Sequence, residues 1–254
     1  MSPLGPFPMV GGSLSVDFVN SIERHRFIQP VDWFDSPLGL LRFLRTAHSW
    51  PAHDLDRLAG WARADGLGAA GAAERARSLR DLLYRLFRSR IDRHDAVAAD
   101  LRQLDLHIRR AIRGTALVES QGRLVQRHQG RGWDRWMGPV VLDAVRILTG
   151  PDARRLRMCE ATHWNGCGRL FLIQRRQDRR WCTMLDCGRR MKRRRARARK
   201  SGGRLRVDFD FLEHTVLQIR PEDQLGEWPT RHTRPPRPPE GPDPVGPDLD
   251  QEPE

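Results

Sequence analysis

Lysine is nearly missing from this chain of 254 residues: Lys192 and Lys200 stand against 43 arginines. Beside abundant Ala, Gly and Pro, the skew reads as a GC-rich coding sequence, so Arg in place of Lys carries no chemistry by itself. No apolar run approaches the ~18 residues of a membrane span, which excludes a helical membrane protein. The opening MSPLGPFPMVGG has neither a charged n-region nor a long apolar core. No secretory leader is therefore expected, and the chain is assigned to the cytoplasm. There is no P-loop, no Gly-rich dinucleotide pattern and no Ser/His/Asp arrangement. His25, His48, His53 and His107 are scattered, so no catalytic residues are assigned and no enzyme is expected. No internal repeat is visible.

Cysteine is also scarce, and its placement is informative. Cys159, Cys167, Cys182 and Cys187 are all four that the chain holds, gathered in one short window. A cytosolic protein has little use for structural disulfides, so clustered thiols there read first as metal ligands. Positive charge is gathered in the same place. The formal net charge is +13. Residues 169–206 hold 16 Arg or Lys against Asp178 and Asp186, a net +14, and the rest of the chain sums to −1. So concentrated a charge favours a polyanion as partner and says nothing of the fold.

Along the chain, GGSLSVDFVNS (11–21) alternates Leu14, Val16 and Phe18 with polar residues, the period of a half-buried strand. Ser36 and Pro37 open a helix over 36–47, with Leu40, Leu41 and Leu44 on its apolar face. The Gly/Ala stretch 64–73 separates two helical patterns. Leu79, Leu82, Leu83, Leu86 and Phe87 mark a helix from about Ala73 to Ile91. Leu101, Leu104, Ile108 and Ala111 mark another over 95–113. A hairpin is predicted over 116–127, turning at Gln121-Gly122. A helix over 136–150 stops at Gly150-Pro151. Short strands, RLRM and GRLFLIQ, then flank the first cysteines. RVDFDFLEHTVLQI (206–219) suits a final strand or short helix, and the Pro-rich residues 229–254 cannot bury a core.

Structural zinc takes four thiolate or imidazole ligands, usually from two short knuckles. Cys182-x4-Cys187 is such a knuckle. Cys159-x7-Cys167 is wider, and its loop holds His163, which stays open as an alternative to one cysteine. Four buried free thiols would be the other reading. Residues 186–200 offer only Met191, Ala196 and Ala198 as apolar positions, so a helix there has almost no face to bury. Arg190, Arg193, Arg194 and Arg197 lie on one side at i, i+3, i+4 and i+7. A helix that repels itself in this way needs an anchor and counter-charge, namely a metal knuckle and phosphates. A frayed, solvated charge run is the alternative.

CEATHWNGCGRLFL and RRWCTMLDCGRRMKRRRARAR together resemble the CGNR zinc finger of bacterial proteins. GGSLSVDFVNSIERH followed by DWFDSPLGLLRFL is similar to the start of the ABATE domain that accompanies this finger. The family is associated with stress-induced transcription regulation. The resemblance implies that Cys159, Cys167, Cys182 and Cys187 hold Zn2+, and it matches Gly188 and Arg190 to the signature. Arg189 departs from it, standing where the family has Asn.

The expected fold is α+β. A mostly α-helical N-terminal domain with a few strands (9–152) precedes a small treble-clef-like zinc finger with its basic helix (153–205). An extension (206–228) and a disordered tail (229–254) follow. Loss of a cysteine is expected to unfold the finger and leave the N-terminal helices. The expected function is a DNA-binding transcription regulator whose finger contacts nucleic acid through Arg189, Arg190, Lys192, Arg193, Arg194 and Arg197. DNA is preferred to RNA, with an RNA- or ribosome-binding accessory protein as the alternative. No membrane partner is expected. The N-terminal domain is left to sensing of an unidentified small molecule or to formation of a homodimer.

Overall fold

A computed structural model describes residues 7–23, 31–47, 50–120, 122–128, 135–162, 167–173 and 179–200. The candidate element at 206–219, the Pro-rich tail and His163 lie outside the described residues. Helices dominate: α1 (Leu14–Val19), α2 (Pro37–Thr46), α3 (Ala52–Ala64), α4 (Gly66–Asp92), α5 (Ala98–Arg113), α6 (Met137–Thr149) and α7 (Arg189–Lys200). The described strands pair as antiparallel ribbons: β1 (Ile22–Glu23) with β2 (Val31–Asp32), β3 (Thr115–Ser120) with β4 (Arg123–His128), and β5 (Leu156–Met158) with β6 (Leu170–Leu172). The class is α+β, as the sequence implies.

The alternating segment at the start is a helix rather than the expected strand. Ser13 caps α1, its hydroxyl accepting from the Val16 N–H. Ser15, Val16, Asp17, Phe18 and Val19 are all buried, so the element has no solvent face for a period to report. Its polar members are satisfied by tertiary partners. Asp143 on α6 accepts from the Ser15 N–H and O–H at 2.8 and 2.7 Å. These contacts, absent from any local pattern, override the period-2 signal.

Elsewhere local chemistry sets the elements. Ser36 caps α2 by accepting from the Gly39 N–H, with Pro37 in its first turn. The Gly/Ala stretch separates two helices as expected, but the break is confined to Asp65, which ends α3 and caps α4, and α4 starts at Gly66 rather than near Ala73. Ala69, Ala72, Ala73 and Ala76 are buried, small enough for α4 to lie close to its neighbours. In α5, Leu104 and Ala111 are buried but Leu101 is half exposed, so the inward stripe is narrower than its apolar residues suggest. The hairpin closes as predicted, with Ser120 opposite Arg123 and Gly122 at φ 71°. Beside α4 sits an aromatic cluster in which Phe18, Phe34, Phe43 and Trp136 meet edge-on or tilted, with ring centres 5.1 to 5.6 Å apart. Arg80 is buried in α4 and ion-paired to Asp32 of β2 at 2.6 Å.

The main core does not stop at α6. Leu156 of β5 and Leu170 and Leu172 of β6 belong to it. Phe171, between them, faces a second cluster with the four cysteines and Met191. The pleat of one strand therefore serves two cores, one on each face. Asn20, just after α1, clasps this strand: its amide donates to the Leu170 carbonyl at 2.8 Å, and its Oδ1 accepts from the Leu170 N–H at 2.9 Å. Leu172 N–H donates to the Gly11 carbonyl at 2.8 Å. The metal-side segment is thus built into the N-terminal core, and a finger that folds apart from the helices, as expected above, is not what the packing shows.

Asp17 lies beside this seam. Burial pushes its carboxyl up to about 6, against the opposing pull of the Gly11, Val10 and Gly12 N–H groups and of Arg179. A raised carboxyl favours the folded chain most below its ordinary value of 3.8, and this contribution is lost as pH climbs through about 6. Asp17→Asn cannot ionise and should remove the dependence. Denaturant titrations at about pH 5 and about pH 7.5 should show the wild type losing about 1.4 kcal/mol relative to this variant over that interval.

Candidate metal centre and nucleic-acid interface

β5 ends at Met158, and Cys159 follows it directly, its N–H donating to the Arg169 carbonyl at 2.9 Å. Cys167 stands just before β6, next to Gly168, whose φ of 62° turns the backbone in a way a side chain would resist. Cys187 lies in a single π-helical turn, Met184–Gly188, capped by the Thr183 hydroxyl, which accepts from the Leu185 N–H. Gly188 N–H donates to the Thr183 carbonyl at 2.9 Å and closes that turn. A Cβ on Gly188 would meet the Met184 sulfur at 2.7 Å, so the half-exposed Met184 side chain packs directly over the turn. The turn passes straight into α7.

These three local devices bring all four cysteines together. Their Sγ atoms lie within 4.8 Å of one another, all four side chains are buried, and none is in a disulfide. Cys167 and Cys182 sulfurs are 3.6 Å apart. A zinc ion with Zn–S bonds of about 2.3 Å sets its ligand sulfurs about 3.8 Å apart, so the cluster fits a tetrahedral site with small adjustment. The Cys182 N–H already donates to the Cys159 sulfur at 3.4 Å. The wide spacing of the first pair therefore does not exclude Cys159. Without a cation the four thiols cannot all ionise. Hydrogen bonding from Cys167 holds Cys159 below the ordinary thiol value, while that same interaction pushes Cys167 far up. A dication relieves this conflict by accepting all four as thiolates.

The sequence of the chain matches two family profiles. The ABATE profile, described as "Putative stress-induced transcription regulator", covers residues 12–151, and that of the CGNR zinc finger covers residues 155–200. The chain belongs to the ABATE family and carries a CGNR finger. No curated protein and no solved structure matches it. With the four clustered sulfurs, the CGNR finger is able to bind a zinc ion. Among the described residues, no helix is long and apolar enough to cross a membrane.

Several arginines of the CGNR finger are held by neighbours within it. Met191 is buried against the cysteine cluster, so α7 does have an inner side, contrary to what its composition suggests. Arg194 and Ala198 lie on that side and are half-buried, and burial lowers the Arg194 guanidinium from its ordinary value. Arg190 is exposed but ion-paired with Asp186 at 2.7 Å. Arg195 lies over the Trp181 ring at 5.5 Å, and Arg180 over the same ring at 5.8 Å. Arg179 covers Phe171 at 4.5 Å and donates to the carbonyls of Val10, Trp181 and Cys182. These residues count in the charge surplus but have structural partners.

Arg189, Lys192, Arg193 and Arg197 are exposed. Arg189, Arg193, Arg197 and Lys200 fall at i, i+4, i+8 and i+11, a single row opposite Met191. Lys200 was not among the candidate contacts, although the same spacing would have found it once Met191 was known to face inward. The side expected from Arg190, Arg193, Arg194 and Arg197 is thus rotated: Arg194 leaves it and Arg189 and Lys200 join it.

Freshly purified protein should carry about one zinc per chain by elemental analysis. Cys182→Ser should lose it, since three sulfurs leave the tetrahedron open. Because β6 is shared with the main core, the variant should also lower the thermal midpoint of the helices, followed by circular dichroism. Acidification should release zinc as protons compete for the thiolates.

Proposed function

We propose that this chain is a DNA-binding transcription regulator in which the zinc centre holds α7 against the double helix. The observation that carries this reading is the exposed row Arg189, Arg193, Arg197 and Lys200, set opposite the residue that roots α7 in the metal cluster. An isolated helix of this charge would be weak; rooted by Met191 and by the turn that carries Cys187, it becomes a fixed cationic edge. Guanidinium groups at this spacing suit phosphates along one strand, which position a protein on DNA more than they specify sequence. Arg189 stands at the start of the row, where the family signature has Asn, and gives this chain an added cation at the end nearest the metal.

Single-stranded RNA recognition would call for open aromatic faces among the basic residues. Among the described residues, Phe171 is buried under Arg179, and Trp181 is flanked by Arg180 and Arg195. Those rings hold the finger together, which supports duplex DNA as the partner. The ABATE domain then serves as the module that senses a signal or pairs two copies.

If about six phosphates are engaged, the logarithm of the binding constant should fall with the logarithm of salt at a slope near −5. Fluorescence anisotropy with a labelled duplex across a salt series measures it, and a salt-insensitive affinity would sink the reading. Arg193→Ala and Arg197→Ala should each weaken binding to all duplexes and reduce the slope by about 1. A variant at the partnered Arg195 should instead act mainly on stability. Competition with single-stranded RNA, if it displaces the duplex more readily than DNA does, would favour the RNA alternative.

A further inference from the structure

A cavity of about 560 Å³ opens between α4, the C-terminal half of α5 and the first turns of α6, away from the cysteine cluster. Its size lies within the range of pockets that hold small organic ligands. The floor is apolar: Ala111 and Val141 are buried, and Met137 is packed against the core. The walls are cationic, with Arg75, Arg110, Arg113 and Arg135 all lining the space. None of the described lining residues is acidic. Outside residues 169–206 the acids and bases of the chain nearly cancel. Four arginines around one cavity, with no acid among its described lining residues, are therefore a local concentration, separate from the basic finger.

The arginines are held in different ways. Arg135 is fixed by an ion pair to Asp54 at 2.9 Å and by donating to the His128 carbonyl at 2.6 Å. Arg110 and Arg113, one turn apart on α5, stand exposed at the rim. His107 and His128 also line the cavity, both held below the ordinary imidazole value by burial first and by Arg110 and Arg135 respectively. His128 is oriented by the Thr115 hydroxyl at 3.0 Å and packs against Gly138. α6 begins at this cavity with Met137 and Gly138 and has no side-chain cap, so its N-terminal dipole adds to the positive field.

We propose that this cavity is the binding site of a small organic anion, a carboxylate or phosphate monoester on an apolar body, with Arg110 and Arg113 pairing its charge and Ala111, Met137 and Val141 receiving its body. The assignment is independent of nucleic-acid binding. It gives the ABATE domain a ligand of defined chemistry.

The test uses the full-length protein with benzoate, phenyl phosphate, neutral benzamide and inorganic phosphate as probes. Titration calorimetry reads affinity, and NMR of the histidine rings reports location. Benzoate or phenyl phosphate should bind saturably and shift the His107 and His128 signals, and which of the two binds more tightly identifies the charged group. Arg110→Gln and Arg113→Gln, both at exposed positions that the fold tolerates, should each weaken binding by roughly fivefold or more. Arg193→Gln, on α7, should leave it unchanged. The proposal is overturned if neither organic anion binds, if benzamide binds as well, or if inorganic phosphate matches phenyl phosphate. It is equally overturned if the α5 variants have no effect while Arg193→Gln abolishes binding, because the anion would then be seated on the basic helix.

Discussion

One three-residue strand holds this molecule together. Leu170 and Leu172 of β6 enter the helical core, and Phe171 between them enters the cysteine cluster. A pleated strand sends alternate side chains to opposite faces, so three residues suffice to join the large helical core to a cysteine cluster too small to stand alone. Asn20 sets the position of that strand by satisfying both backbone groups of Leu170 in a buried place, where an unmade hydrogen bond is costly. The consequence reaches in both directions. The metal cluster borrows rigidity from the helices, and the helices depend on a strand whose neighbours are metal ligands.

The same economy governs the arginines. A finger with this much positive charge has a self-repulsion problem, and the fold handles part of it by placing several guanidinium groups against rings and an acid. Arg179, Arg180 and Arg195 spend their guanidinium planes on aromatic rings, and Arg190 is matched to Asp186. The row opposite Met191 is left turned toward solvent. An even distribution would have given a diffuse attraction to any polyanion; this one gives a directed edge whose orientation is tied to the zinc site.

Much of this was legible in the chain itself, and for definite reasons. The four cysteines stand apart because every one of the chain's thiols falls in one short window, and the basic segment beside them stands out against a remainder near neutrality. Caps and breakers such as Ser36-Pro37 and Gly150-Pro151 act over a few residues, so α2 and α6 could be read locally. The misread elements were those whose conformation depends on distant partners. α1 alternates like a strand but is enclosed on every side and held by Asp143, 128 residues away from Ser15. The start of α4 was placed too late because the small residues after Asp65 have weak local helix signals, yet their smallness is what close packing uses. Arg194 appeared to belong to the open side of the basic helix because nothing local shows that Met191 faces the cysteines.

By itself, then, the sequence determined the kind of chemistry available: a four-thiolate metal site, a concentrated cation surplus and an α-rich companion, all consequences of residue type and short spacing. Only the tertiary structure decided which cations face outward, that the finger shares a strand with the helical core, and that four arginines from three parts of the N-terminal domain surround one cavity. Those are relations between residues far apart in the chain. They follow from packing and from the need to pair every buried polar group, neither of which any local pattern records.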